Sequence, residues 1–183
     1  MELPKIKILD EKEKVLHQVS EEIEFPLSNE IKQDIKDMLK YLKMSQIEKY
    51  SEKYDLRPGM GLSYVQIGKP KRLFVICNEL DDNTFENYVI INPKIISQSE
   101  EMIYVGEGEG CLSVNREVDG IVPRCARLTV AYQDEDGNNC KIRVREELSI
   151  AFQHEIDHLN GILFIDKIDP KNPYKGKNNA REI

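Results

Sequence analysis

The stretch Gln153-His154-Glu155-Ile156-Asp157-His158 determines how the rest of this 183-residue chain is interpreted. On a helix, histidines at i and i+4 lie on one face about one turn apart, where both imidazoles can bind the same metal ion. Glu155 directly follows the first histidine and can act as general base for a water molecule that the metal activates. Two of the chain's three histidines lie in this stretch. The spacing therefore predicts a catalytic metal site, in preference to two surface histidines on an ordinary helix.

A catalytic metal site usually has three protein ligands and one open position, so a third ligand is needed. One group of metallopeptidases extends the motif to HExxHxxGxxH, and this chain follows that pattern to Gly161 but has Phe164 in place of the last histidine. His17 is isolated near the start, and Glu182 is the only glutamate after the motif. Cys111 is the best candidate, because thiolates bind metals strongly and its glycine and small polar neighbours allow close approach. A role as a small buried residue remains an equal alternative.

The composition limits the classes to which this protein can belong. A hydrophobic content of 40% over this length predicts one compact domain, residues 1–169, followed by a polar and disordered tail, residues 170–183. The net charge of -7 argues against direct nucleic-acid binding, which needs clustered Lys and Arg. No apolar run approaches the roughly 18 residues of a membrane span. Four cysteines without a CxxC pair predict reduced thiols and a cytoplasmic location; they are Cys77, Cys111, Cys125 and Cys140.

The hydrophobic pattern predicts an α+β fold. Ser28 is a typical helix N-cap, and the apolar spacing after it predicts a long amphipathic N-terminal helix that ends near Tyr50. Runs of Val and Ile between turn residues predict strands at 72–78, 88–97, 102–105, 120–122, 127–133 and 140–144, with turns at 81–83 and 136–138. A further short buried strand is predicted at 162–165. A late helix, 146–160, carries both histidines of the motif. Because hairpins precede this helix, we expect small antiparallel sheets packed around it as the central helix.

Two apolar residues precede the metal motif on the same predicted helix. Ile150 and Ala151 lie about one turn before His154 and on the same side, where they could form an apolar wall of a substrate pocket. Packing in the core explains this pair equally well.

Three stretches together resemble the motifs of the peptide deformylase family, GxGLAAxQ, EGCLS and QHExDHxxG. They are residues 59–66, 109–113 and 153–161, and the resemblance extends over residues 8–166. The second and third stretches match at every fixed position, whereas the first has Ser63 and Tyr64 in place of two alanines. We expect these two departures to change packing behind the loop and to leave the chemistry intact. The segment before Gly59 and residues 115–122 resemble the longer bacterial subclass.

The resemblance implies a metal-dependent hydrolase that removes the formyl group from the N-terminal methionine of new proteins and releases formate. It implies that Cys111, His154 and His158 bind Fe²⁺, with Zn²⁺ or Ni²⁺ able to substitute, since a thiolate and two imidazoles suit all three ions. Glu155 would then move the proton of the attacking water. The catalytic residues Gln66, through its amide, and Leu112, through its backbone N–H, would stabilise negative charge on the formyl oxygen.

The resemblance also implies how the substrate binds. The N-formyl-methionyl nascent peptide would lie extended, like an added strand, against Met60, Gly61 and Gly110. This substrate makes the ribosome surface a candidate partner. Two other hypotheses stay open: a metallopeptidase that cleaves internal peptide bonds, and a binding protein with a closed metal site. Retention of Glu155 and Gln66 favours catalysis over a closed site, because neither residue is a metal ligand in this interpretation.

Overall fold

The computed structural model describes residues 1–81 and 84–183. In this part of the chain the α-helices are α1 (Asn29–Gln46), α2 (Glu48–Tyr54) and α3 (Glu146–Leu159). The strands are β1 (Gly61–Ser63), β2 (Leu73–Asp81), β3 (Thr84–Gln98), β4 (Met102–Tyr104), β5 (Arg124–Cys125), β6 (Arg127–Gln133), β7 (Asn139–Arg145) and β8 (Arg181–Glu182). Short 3-10 helices lie at Lys14–His17, Tyr64–Ile67, Phe164–Lys167 and Lys177–Asn179. The predicted α+β class is confirmed.

Strands β1, β2, β3, β6 and β7 form a sheet in that order, with every neighbouring pair antiparallel. The second sheet has the order β5-β4-β8. Five of the predicted strands correspond to β2, β3, β4, β6 and β7, and the turn predicted at 136–138 joins β6 to β7. The predicted turn at 81–83 lies partly outside the described residues. The strand predicted at 120–122 is wrong, because no strand forms there and the chain instead pairs two residues later, as β5. The strand predicted at 162–165 is also wrong, because the chain forms a 3-10 helix at Phe164–Lys167.

Helix α1 begins as predicted, because the Ser28 hydroxyl accepts a hydrogen bond from the backbone N–H of Ile31 at 3.2 Å. Its apolar face is buried against β2 in a core that includes Ile35, Met38 and Leu42. The helix ends earlier than predicted. Ile47 adopts an extended conformation and separates α1 from α2, while the Gln46 side chain hydrogen-bonds backbone carbonyls of the following chain. These tertiary hydrogen bonds favour the break over one continuous helix.

Helix α3 packs against the larger sheet through fully buried Phe152. The Phe152 ring makes edge-to-face contacts with Phe74, at a centroid distance of 5.3 Å, and with Tyr88, at 5.9 Å. After the helix, Gly161 has a φ of 74°, and a Cβ there would lie 2.8 Å from backbone atoms of the segment at Gln18. Only glycine fits this turn without displacing that segment. The described residues include no helix with the length and apolarity that a membrane crossing requires.

The polar tail differs from the predicted disorder. Strand β8 pairs with β4 in parallel, which makes it the exception to the antiparallel pattern among the named strands. Arg181 forms ion pairs with Glu101 and Glu146, and Ile183 packs near Ile150 in a small apolar cluster. The end of the tail takes up regular structure because it pairs with the edge of β4 and partly buries Ile183, which its average composition does not reveal.

Replacement of Phe152 by alanine should lower the free energy of unfolding by about 3–5 kcal/mol, because it removes a buried ring and leaves a cavity between α3 and the sheet. Urea denaturation measures this loss. The control is Tyr174→Ala, since Tyr174 is 51% exposed and should tolerate the change. A loss for Phe152→Ala no larger than the loss for the control would contradict the proposed packing.

Candidate metal centre and active-site cleft

Cys111, His154 and His158 meet in three dimensions although the cysteine is distant in sequence. One potential ligand atom from each lies within 4.8 Å of the others. The i, i+4 spacing on α3 brings the imidazole centroids to 5.0 Å, and Cys111 Sγ lies 3.3 Å from His158 Nε2. Burial lowers the pKa of His158 well below its usual value, which favours the neutral ring that binds metals. This donor set can hold a metal ion. The two alternative third ligands make other contacts. His17 Nε2 hydrogen-bonds the main-chain oxygen of Glu11, and Glu182 accepts a hydrogen bond from the Tyr104 hydroxyl.

A buried carboxylate orients the first histidine. Glu109 Oε2 lies 2.8 Å from His154 Nδ1, and because a carboxylate only accepts, Nδ1 carries the proton and Nε2 is left for a ligand. Arg124 donates to both oxygens of Glu109, at 2.7 and 3.0 Å. Burial works to raise the pKa of Glu109, but the hydrogen bonds from His154 and Arg124 prevail and lower it to about 2. Glu109 therefore stays charged and holds the ring. The sequence marked Glu109 only as part of a motif, and Arg124 not at all.

Glu155 lies beside the three metal-ligand candidates, with 3% of its surface exposed. Ser63 Oγ donates to Glu155 Oε2 at 2.6 Å. The other oxygen, Oε1, lies so close to Gly61 that a Cβ on that residue would approach it to 2.5 Å. Burial raises the pKa of the Glu155 carboxyl above its usual value. A carboxyl with a raised pKa beside a candidate metal centre suits proton transfer near neutral pH.

Gln66 presents its amide to the same centre from behind the first motif. Its Oε1 accepts from the Ser63 N–H at 2.9 Å, so the amide nitrogen points the other way. That nitrogen donates to Ser113 Oγ at 3.0 Å and lies 3.6 Å from Cys111 Sγ. The loop after Cys111 is held by Arg57, which donates to the carbonyl of Leu112 at 2.8 Å. Hydrogen bonds from the rest of the chain thus hold two potential donors near the metal-ligand candidates, the Gln66 amide and the Leu112 backbone N–H.

A cleft of about 600 Å³ opens over this centre. All the residues predicted to touch substrate line it: Met60, Gly61, Gly110, Leu112, Ile150 and Ala151. Ile150 and Ala151 also pack against core clusters, so both interpretations of this pair apply. Arg57, Val105 and Glu147 line the cleft as well and were not predicted.

The two departures from the first motif have different surroundings. Tyr64 is buried against α1, and its hydroxyl donates to Asp34 at 2.6 Å, which agrees with a change in packing. Ser63 does not fit the expectation that the two departures affect only packing, because its hydroxyl hydrogen-bonds the Glu155 carboxylate. Proximity to Glu155 could not be inferred from the sequence, since 92 residues separate the two.

Comparisons with known proteins agree with the motifs. The family model "Polypeptide deformylase" matches residues 5–174. The peptide deformylases of Shouchella clausii and Halalkalibacterium halodurans are 46% and 48% identical to this chain; each alignment covers 92% of it, and 92% and 93% of those proteins. Among solved structures, peptide deformylase from Ehrlichia chaffeensis in complex with actinonin has a TM-score of 0.75 and 33% identity, covering 93% of this chain and 92% of that one. The Thermotoga maritima structure has a TM-score of 0.71 and 29% identity, covering 90% and 98%. The chain therefore belongs to the polypeptide deformylase family, whose members remove the N-formyl group from nascent polypeptides.

Proposed function

We propose that this enzyme removes the formyl group from N-terminal formyl-methionine with one Fe²⁺ ion held by Cys111, His154 and His158. The observation that carries the proposal is the convergence of a thiol and two imidazoles within 4.8 Å in a cleft that also holds Glu155. Cys111 and His154 line the cleft, which supports an open coordination position over a closed structural site. The donor set also fits Zn²⁺ and Ni²⁺, so either ion can substitute.

The proposed chemistry divides between the metal and the chain. When bound, the metal supplies a Lewis acid that lowers the pKa of water and polarises the formyl group. Glu155 accepts a proton from the attacking water and returns it to the amine that leaves. Its burial, which raises the pKa of the carboxyl, supports both transfers. The leaving nitrogen must receive a proton, because without it the group that leaves would be a strongly basic nitrogen anion, which is a very poor leaving group.

Gln66 and Leu112 are the proposed hydrogen-bond donors to the formyl oxygen, on which negative charge builds during attack. The Gln66 amide is held by Ser63 and Ser113, so it needs little reorganisation when the charge appears. The backbone N–H of Leu112 belongs to a loop that Arg57 ties down. Donors that are fixed before the reaction stabilise the transition state more than mobile ones.

The proposed substrate is an extended nascent peptide whose backbone lies against Met60, Gly61 and Gly110. The apolar residues Ile150 and Ala151 line the same cleft and suit a methionine side chain. Nascent chains emerge from ribosomes, so this substrate assigns the enzyme to the cytoplasm and makes the ribosome surface a further proposed partner. A peptidase that cuts internal bonds would need room for chain on both sides of the reacting carbonyl.

The proposed activity predicts formate release from formyl-Met-Ala-Ser by the Fe²⁺-loaded enzyme. Unformylated Met-Ala-Ser should release no formate and should remain intact. Glu155→Ala should retain the metal but lose most of the activity, because Glu155 transfers protons and is not a ligand. Release of shorter peptides without formate would contradict the proposal and favour a peptidase.

Cys111→Ala should lose bound metal and activity together, because the thiolate is one of three proposed ligands. Metal content after anaerobic reconstitution with Fe²⁺ measures this effect. The matched control is Cys140→Ala, since Cys140 lies on β7 and should leave both metal content and activity unchanged. Stoichiometric, equally tight metal in Cys111→Ala would rule out this ligand assignment.

Gln66→Leu should lower kcat by about a hundred- to a thousand-fold, because it removes one donor to the developing negative charge. KM should change little, since the interaction strengthens mainly in the transition state. Steady-state kinetics with formyl-Met-Ala-Ser, on enzyme of verified metal content, measure both constants. A near-normal kcat would transfer the oxyanion role to another group.

A further inference from the structure

We infer that Ser63 is a positioning residue that fixes the orientation of the Glu155 carboxylate, an inference that rests on the deformylase activity proposed above. The family motif has alanine at this position, so the hydroxyl is an addition in this chain. Ser63 ends β1, is fully buried, and contacts Glu155 across 92 residues of sequence.

The Ser63 hydroxyl has one proton and two acceptors within reach. Glu155 Oε2 lies at 2.6 Å, whereas the main-chain oxygen of Glu155 lies at 3.1 Å. The shorter distance is typical of an O–H that donates to a carboxylate. In the residues that the structure describes, Ser63 is the hydrogen-bond donor found for this carboxylate. The hydroxyl therefore bonds the side chain of the proposed base.

Strand β1 confines the other carboxylate oxygen as well. Gly61 and Ser63 are two positions apart on β1 and so face the same side of the strand. Gly61 leaves room for Glu155 Oε1, which a Cβ would meet at 2.5 Å. The last side-chain torsion of a glutamate is otherwise broad, so burial alone does not select one orientation. The hydrogen bond from Ser63 thus holds Oε2 in place. The missing side chain at Gly61 leaves room for Oε1 beside this glycine, which lines the cleft.

The backbone of Ser63 makes a separate contact with the catalytic machinery. Its N–H donates to Gln66 Oε1 at 2.9 Å. Alanine at this position keeps the N–H and removes only the hydroxyl. Ser63→Ala therefore tests the contact with Glu155 while it leaves the contact with Gln66 in place.

We expect Ser63→Ala to lower kcat for formyl-Met-Ala-Ser by about tenfold, which corresponds to about 1.4 kcal/mol in the activation free energy. KM and metal content should stay within about twofold of the wild type, because the hydroxyl acts through the base in the chemical step. The matched control is Tyr64→Phe, which removes the neighbouring buried hydroxyl that bonds Asp34 rather than Glu155. Its kcat should stay within about twofold of the wild type even if its melting temperature falls.

A double-mutant cycle with Glu155→Asp separates positioning from a general structural effect. The shorter aspartate withdraws the carboxylate from Ser63, so Ser63→Ala should cost much less in that background. An equal cost in both backgrounds, or a kcat of Ser63→Ala equal to that of the wild type, would overturn the inference. Wild-type enzyme without formate release would instead overturn the proposed function. Crystal structures of the wild type and of Ser63→Ala show the orientation of the Glu155 carboxylate independently of activity. A single orientation that is unchanged in Ser63→Ala would also overturn the inference.

Discussion

The burial of ionisable side chains on α3 is the constraint on which the rest of this structure depends. Glu155, Asp157 and His158 are all buried, and His154 and Glu155 also line the cleft. Removal of charged or polar groups from water is costly unless each finds a partner. Apolar contacts such as those of Phe152 hold the helix inside, but they cannot satisfy these groups. Partners must therefore come from other parts of the chain.

Distant segments supply those partners. Glu109 binds His154 and is itself bound by Arg124, which also contacts Asp157. Arg124 thus pairs with two buried carboxylates, and Lys167 adds a second cation beside Asp157. The hydrogen bonds from His154 and Arg124 together lower the pKa of Glu109. Ser63, on strand β1, donates a hydrogen bond to Glu155. The segments that carry these residues are fixed by the same contacts that orient the proposed catalytic groups, so one set of hydrogen bonds serves both stability and the proposed function.

Local periodicity explains which features the sequence could predict. The i, i+4 histidines and the Ser28 cap depend on helix geometry alone, and both predictions agree with the structure. The break at Ile47, the shift of the strand predicted at 120–122 and the ordered tail depend on tertiary contacts that no local pattern records. The Glu109 contact with His154 likewise spans 45 residues. Metal-ligand candidates were therefore easier to find than the residues that orient them.

The first motif shows why a departure from a family pattern must be judged by the face on which it lies. Ser63 and Tyr64 are consecutive, and Ser63 is extended, so the two side chains leave the chain in different directions. The Tyr64 side chain packs against α1, and its hydroxyl donates to Asp34, which Lys69 also contacts. The change at this position therefore affects packing. Ser63 meets Glu155 instead. Although both replace alanine with a hydroxyl-bearing residue, only Ser63 adds a hydrogen bond to the proposed base, and the effect of each follows from what its side chain contacts.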